Sequence, residues 1–412
     1  MKFLSNKRIY LDYAGATQID HNIAQKMAFC EKAFSSNPSA IYKSGVKARS
    51  VIEEGREKIA KLINAHSDEI VFTGSGTESD ALAIIGIIKN YELKIKNEKL
   101  EYKIPHIITS QIEHPAVIEN CKDLEKNGYV EVTYISVDKN GIINLEELKD
   151  ALKENTILVS IMYANNEIGT VEPIQDIAKI IRHFKKGKDS IYPIFHTDAS
   201  QAMNYLFTEN IEKLGVDMMS FNGGKIYGPK GIGVLYKKRN IDLIPLYVGG
   251  GQEFGLRSGT ENISLIFGVA LALEKSFKMK EKESARLIKL RDYGIEKLLA
   301  LSGTSGYKIV LNGDKEKRLP NNINISISGI SSELLVIELD ANGIEVSEKS
   351  ACHSKSDNSS YVIKAIRKIC KRGSGEEGSL RISLGRQTTK KDIDFLIKKL
   401  SFILKKYYNY II

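Results

Sequence analysis

Between about residues 46 and 236, short apolar runs alternate with longer stretches whose apolar residues recur at helical spacing, a rhythm that few folds accept. Helices are expected over 46–63, 77–96, 115–126, 145–153 and 174–183. Strands are expected over 70–72, 104–109, 130–136, 156–162, 191–196 and 216–221. Such alternation builds an α/β domain around a mostly parallel sheet. A chain of 412 residues has room for that domain and a smaller α+β one, each with its own core. From about Asn262 a long helix of mixed charge is expected to run to Leu301 with a break. Strands near 308–311, 322–326 and 380–383 and a helix near 391–405 complete the second domain. The expected division is 13–260 for the large domain and 1–12 with 261–412 for the small one.

Composition narrows the function classes. Hydrophobic content of 42% and charged content of 27% are ordinary for a soluble globular protein. No apolar run is long enough to span a bilayer, and the first eight residues lack the apolar core of a secretory signal, so a cytoplasmic home without a membrane partner is expected. The net charge of +9 comes from lysines interleaved with glutamates along helices, which describes a solvated surface, so no direct nucleic-acid binding is expected. The four cysteines, Cys30, Cys121, Cys352 and Cys370, form no metal-ligand or disulfide pattern. Cys30, Cys121 and Cys370 lie in helical patterns and read as core residues, whereas Cys352 does not.

Three stretches carry chemistry, each at a strand end. In Phe221-Asn222-Gly223-Gly224-Lys225-Ile226-Tyr227-Gly228-Pro229, small residues let the backbone pass close to a flat ligand, and a lysine beside such a surface can form a Schiff base with pyridoxal phosphate (PLP). His196-Thr197-Asp198 ends a strand on an aspartate, where it can pair with a pyridinium nitrogen. Thr73-Gly74-Ser75-Gly76-Thr77-Glu78 follows a strand and opens a helix, offering N–H groups and hydroxyls to a phosphate.

These motifs, with others in order from Leu11-Asp12-Tyr13-Ala14 to Ser383-Leu384-Gly385-Arg386, make the chain resemble the cysteine desulfurases of the class V aminotransferase-like group of PLP enzymes. The resemblance implies the PLP-dependent transferase fold, with Lys225 holding the cofactor and Asp198 on its ring nitrogen. It implies phosphate contacts from Gly76 and Thr77, beside which Asn222 is also expected to bind the cofactor, and contacts to the cofactor's phenolic oxygen from Asn166 and Gln201. By the same resemblance His114 stacks on the ring and moves protons, while Arg381 clamps the substrate carboxylate with Asn166 nearby and Arg386 is structural. Thr260 matches a threonine that reaches a neighbouring subunit's phosphate, which implies a homodimer. Cys352 sits in a small, serine-rich loop (about 347–360) with Lys349, His353 and Lys355 close by, charges that lower a thiol pKa.

The activity implied is removal of sulfur from L-cysteine, giving L-alanine and a Cys352 persulfide. Its sulfur-acceptor protein would belong to iron–sulfur cluster assembly or tRNA thiolation. The alternatives are a related selenocysteine or cystine lyase and a catalytically silent scaffold. Two departures stand out. The run before the lysine is usually Ser-Gly-His and here is Asn222-Gly223-Gly224, which removes a hydroxyl and an imidazole from the phosphate site; Ser75 and the Asn222 amide are available to compensate. Tyr42 stands where a histidine is usual.

Overall fold

The computed structural model describes residues 8–98, 103–188, 190–348, 360–367 and 377–408. Strands run β1 Ile9–Tyr10, β2 Ile70–Thr73, β3 His106–Ser110, β4 Glu131–Ile135, β5 Thr156–Ser160, β6 Ile194–Asp198, β7 Met218–Asn222, β8 Gly233–Lys237, β9 Ile309–Leu311, β10 Asn322–Ser328, β11 Ile344–Glu345 and β12 Glu377–Ser383. Helices run α1 His21–Ala33, α2 Lys43–Ile63, α3 Gly76–Glu98, α4 Pro115–Lys126, α5 Leu145–Ala151, α6 Ile174–Lys185, α7 Ile211–Leu214, α8 Ile263–Ala300, α9 Ser302–Ser305, α10 Ser332–Ala341, α11 Tyr361–Arg367 and α12 Lys390–Tyr408.

Seven strands form the main sheet in the order β2-β8-β7-β6-β5-β3-β4. Pairings from β7 through β6, β5 and β3 to β4 are parallel, whereas β8 runs antiparallel to both β7 and β2. Side chains of a strand alternate between faces, and here both faces are apolar because helices cover both. Ile108, Val159, Phe195 and Met219 meet α2, α6 and the first half of α8 in one core. Their neighbours Ile107, Leu158, Ile194 and Met218 meet α3 and α4 in another. Each such side chain contributes about 1.5–3 kcal/mol on burial.

A second body forms around the antiparallel sheet β12-β10-β9, backed by α10, α12 and the second half of α8. Chain-distant pairing ties it to the N-terminal segment, with β1 parallel to β11 and Leu11 in its core. Two expectations change. Helix α8 runs unbroken for 38 residues, because its first half is buried against one core and its second half against the other. An unexpected strand, β8, enters between β2 and β7, its side chains Val234 and Leu235 serving opposite faces. Among the described residues no helix is long and apolar enough to cross a membrane.

Candidate active site

The carboxyl ends of the parallel strands open into a cavity of about 290 Å³. Each loop delivers its share: Ser75, Gly76 and Thr77 after β2, His114 after β3, Asn166 after β5, Asp198, Ser200 and Gln201 at the end of β6, and Asn222 and Lys225 at the end of β7. Arg381 enters from β12 of the second body, and the loop Ala14-Gly15-Ala16 closes another wall. The crevice beyond strand ends is where ligands of α/β sheets bind.

Lys225 sits in a single 3-10 turn, Gly223–Lys225, after β7. Its amine donates to the carbonyls of Ala14 at 2.8 Å and Gly15 at 2.6 Å. Thr17 pins the turn from both sides: its amide and hydroxyl donate to the Gly224 carbonyl, each at 2.9 Å, and its hydroxyl accepts from the Tyr227 amide at 2.8 Å. The Asn204 amide holds the Lys225 carbonyl at 2.6 Å. Tyr227 follows at φ +60°, a left-handed conformation uncommon outside glycine. Its ring is covered by the Arg386 guanidinium at 3.8 Å, and its hydroxyl accepts from the Arg386 amide at 2.9 Å. Arg386 is thus the packing residue expected.

Asp198 accepts from the Ser200 amide at 2.8 Å and is largely buried. Beside it lies a second carboxyl, Asp80 of α3, buried at the cavity wall, whose Oδ1 has no hydrogen-bond partner among the described residues. Burial first, and the nearby Asp198 second, push Asp80 well above the ordinary carboxylate range. His196 lies 3.6 Å from Asp80 and is held between the Ser160 and Ser220 hydroxyls at 2.9 and 2.8 Å. Burial lowers its pKa to about 4, so it is a neutral spacer.

His114 caps α4, with Nδ1 accepting from the Ala116 amide at 3.1 Å and Pro115 at the first helical position. Burial lowers its pKa below the ordinary value. The neutral ring therefore carries its proton on Nε2. Arg381, 1% exposed, donates to Asp12 Oδ1 at 2.8 Å and to the Asn166 carbonyl at 3.1 Å, leaving its buried Nε without a partner among the described residues. A buried guanidinium N–H at a cavity wall is an open site for a carboxylate.

At the α3 end, Gly76 forms a cradle: a Cβ there would stand 2.9 Å from Asn222 Nδ2 and 3.5 Å from the Ser200 hydroxyl. Asn222 donates to that hydroxyl at 3.3 Å, while Ser75 caps the helix by accepting from the Glu78 amide at 3.1 Å. Bare N–H groups of a first turn, an amide and hydroxyls are the donor set a phosphate takes. An amine, a carboxylate deep in the cavity and this cradle suit PLP.

One expected site residue lies elsewhere, and another is not among the described residues. Thr260 is exposed on a neighbouring cavity of about 280 Å³, which shares Gly231 and Ile232 with the first. Cys352 and Cys370 lie outside the described residues. The described residues on either side of the segment carrying Cys352 are tied to residues at the site. Ser347 pairs with Arg381 through both backbone hydrogen bonds, at 3.1 and 2.7 Å. Ser360 donates its hydroxyl to Glu167, next to Asn166, and Tyr361 donates to the Glu113 carbonyl, next to His114. Sequence reasoning missed Gly15, Thr17, Asp80, Ser200 and Lys230, all but Thr17 at the cavity wall. The one signal for Asp80 was its place in the first turns of the helix that follows the phosphate loop.

The aminotransferase class-V family matches residues 9–396. The chain therefore belongs to the class V aminotransferases, a family of PLP-dependent proteins. A protein named cysteine desulfurase IscS in Dictyoglomus turgidum is 42% identical over 400 residues, covering 97% of this chain and 95% of that protein. Another of that name in Methanosarcina thermophila is 40% identical, over 98% of this chain and 94% of its own length. Among solved structures, a NifS-like protein aligns at TM-score 0.85 and 33% identity over 97% of this chain and 99% of its own. SspA in complex with cysteine aligns at TM-score 0.75 and 33% identity, over 92% and 99%. Within its family the chain is a member of the IscS- and NifS-like cysteine desulfurases.

Proposed function

We propose that the protein removes sulfur from L-cysteine, releasing L-alanine and leaving a persulfide on Cys352. The observation that carries this is the convergence of Lys225, Asp198, His114 and Arg381 on one cavity, in a chain whose relatives are named cysteine desulfurases. PLP, when bound there, supplies an aldehyde carbon for the substrate amine and an electron-poor ring that eases proton loss at the substrate α-carbon.

The rest belongs to the chain. Lys225 is the amine that holds the cofactor, and its two carbonyl partners fix where that amine waits. Asp198 keeps a proton on the ring nitrogen. Gly76, Thr77 and Asn222 would hold the phosphate, and Asn166 and Gln201 would meet the phenolic oxygen. Arg381 takes the substrate carboxylate through its Nε. His114, kept neutral by burial, moves a proton through Nε2.

Cys352, as thiolate, then attacks the substrate sulfur. A sulfur–sulfur bond forms and the carbon–sulfur bond breaks; the electron pair stays on the substrate carbon, which takes a proton and leaves as alanine. The attachment of Ser347 to Arg381 and of Ser360 to Glu167 supports this, since the described residues flanking the cysteine-bearing segment are bonded to a cavity residue and to the neighbour of another. We read Thr260 as reaching the phosphate of a second copy, which makes the working unit a homodimer, and the persulfide as passing to an acceptor protein.

Mass spectrometry of the Cys352 peptide after turnover tests the reading. A gain of one sulfur is expected. Alanine formation by a Cys352→Ser variant at the wild-type rate would overturn it in favour of a lyase.

A further inference from the structure

Among the described residues, the cavity is lined by three basic side chains besides His114: Lys225, Lys230 and Arg381. Lys225 is engaged by two carbonyls and Arg381 by Asp12 and the Asn166 carbonyl. For Lys230, no carboxylate or carbonyl of the described residues lies within bonding distance. It sits in Gly228-Pro229-Lys230-Gly231, the turn that follows Lys225, with its side chain exposed at the cavity mouth.

Its stem lies beside residue 224. A Cβ on Gly224 would stand 3.4 Å from Lys230 Cγ and 3.9 Å from Lys230 Cα. The lysine stem therefore runs over the space that a side chain at 224 would enter. Asn222 joins this point to the cradle: its Oδ1 is 3.4 Å from the same Gly224 position, while its Nδ2 faces Gly76 at 2.9 Å. The sequence Gly76, Asn222, Gly224, Lys230 is thus one continuous strip of wall. Its other groups are neutral donors, so a phosphate monoester dianion held there would have a helix N-terminus, amides and hydroxyls but no full counter-charge.

We propose that Lys230 supplies that counter-charge, its ammonium closing over the phosphate end of the cavity in place of a basic side chain at position 224. Gly224 and the lysine stem beside it form one stretch of that wall. The inference rests on the reading that this cavity takes PLP.

The test titrates the full-length apo-protein with PLP and, separately, with pyridoxal, which lacks the phosphate, following visible absorbance. For Lys230→Met the Kd for PLP is expected to rise roughly tenfold to a hundredfold, the range of a charge-assisted hydrogen bond. The Kd for pyridoxal is expected to stay within about twofold, a tolerance below 1 kcal/mol. Lys230→Arg should keep most of the PLP affinity, and Gly224→His added to Lys230→Met should recover part of it. Equal weakening toward both ligands, or no weakening toward PLP, overturns the role of Lys230. A wild-type protein that binds neither ligand overturns instead the reading of the cavity on which the proposal stands.

Discussion

Arg381 and Asp12 are 369 residues apart in the chain and 2.8 Å apart in space, a pair that sets the arginine against the cavity wall. Asp12 Oδ1 takes one N–H of Nη2 and the Asn166 carbonyl one N–H of Nη1, so two of the five guanidinium N–H groups fix its orientation and Nε is among those left for a ligand. Removing the carboxylate frees the guanidinium to turn. In Asp12→Ala, KM for L-cysteine is expected to rise about tenfold, with kcat changing less, because orientation of a carboxylate clamp is lost. Stability should fall by about 2 kcal/mol, less than for a wholly enclosed pair since Asp12 is 22% exposed. Steady-state kinetics and a denaturation curve check both; an unchanged KM would contradict the clamp.

Gly76 offers a cleaner probe of the phosphate cradle. A methyl at this position meets the movable end of the Asn222 side chain at 2.9 Å, so the helix is spared and the donor is displaced. Gly76→Ala is expected to weaken PLP binding by about tenfold, near the worth of one hydrogen bond to an anion, with melting of the apo-protein shifted little. Equilibrium titration and thermal melting separate the two effects.

His114 has its pKa lowered by burial, and its Nδ1 is occupied by the helix cap. Protonation would give up that cap as well as the neutral ring. Turnover should therefore hold through neutral pH and fall only below the ordinary histidine range, with the acid limb of the profile displaced downward. His114→Gln, which retains an acceptor for the cap, is expected to lose about 10²- to 10⁴-fold in kcat, the usual worth of a positioned acid–base group. PLP titration of the same variant should show binding largely intact.

Glu172 makes a prediction about stability. It is buried, accepts from the Ile143 amide at 3.0 Å through Oε2, and leaves Oε1 without a partner among the described residues. Burial raises its pKa from 4.5 to about 8, so the folded protein keeps a proton that the unfolded chain releases. The stability from this group is full below pH 4.5 and lost as pH rises through about 8. Glu172→Gln removes that titration. Between pH 5 and 8.5 the wild type should lose on the order of 3–5 kcal/mol that the variant keeps. Denaturant midpoints at the two pH values measure it, and parallel loss in both proteins would show an ionised Glu172.

The parts visible in the sequence were those with a local signature. Strand ends that stop on Asp198, on the Gly223-Gly224-Lys225 turn or at the Ser75-Gly76-Thr77 helix start carry their chemistry within a few residues, and the structure brings them to one cavity. What could not be read there is chain-distant or made by the backbone. The carbonyls of Ala14 and Gly15 that hold Lys225 have no side-chain mark, and Thr17 is ordinary until Gly224 lies against it. Asp80 reads as a first-turn helix acid; only its burial beside Asp198 makes it otherwise. Strand β8 has one glycine entry and no helix beside it in the chain, so it breaks the alternation that marks its neighbours. The charge pattern of 263–300 suggests a break, yet continuity is imposed by two cores that one helix must serve.

Helix α8 also has a mechanical meaning. At 38 residues it is a girder of about 57 Å, at 1.5 Å per residue, planted by one end among the helices behind Lys225 and by the other beneath the sheet that bears Arg381. A beam without a joint does not let its two ends swing. One continuous helix thus ties the placement of the amine to that of the guanidinium.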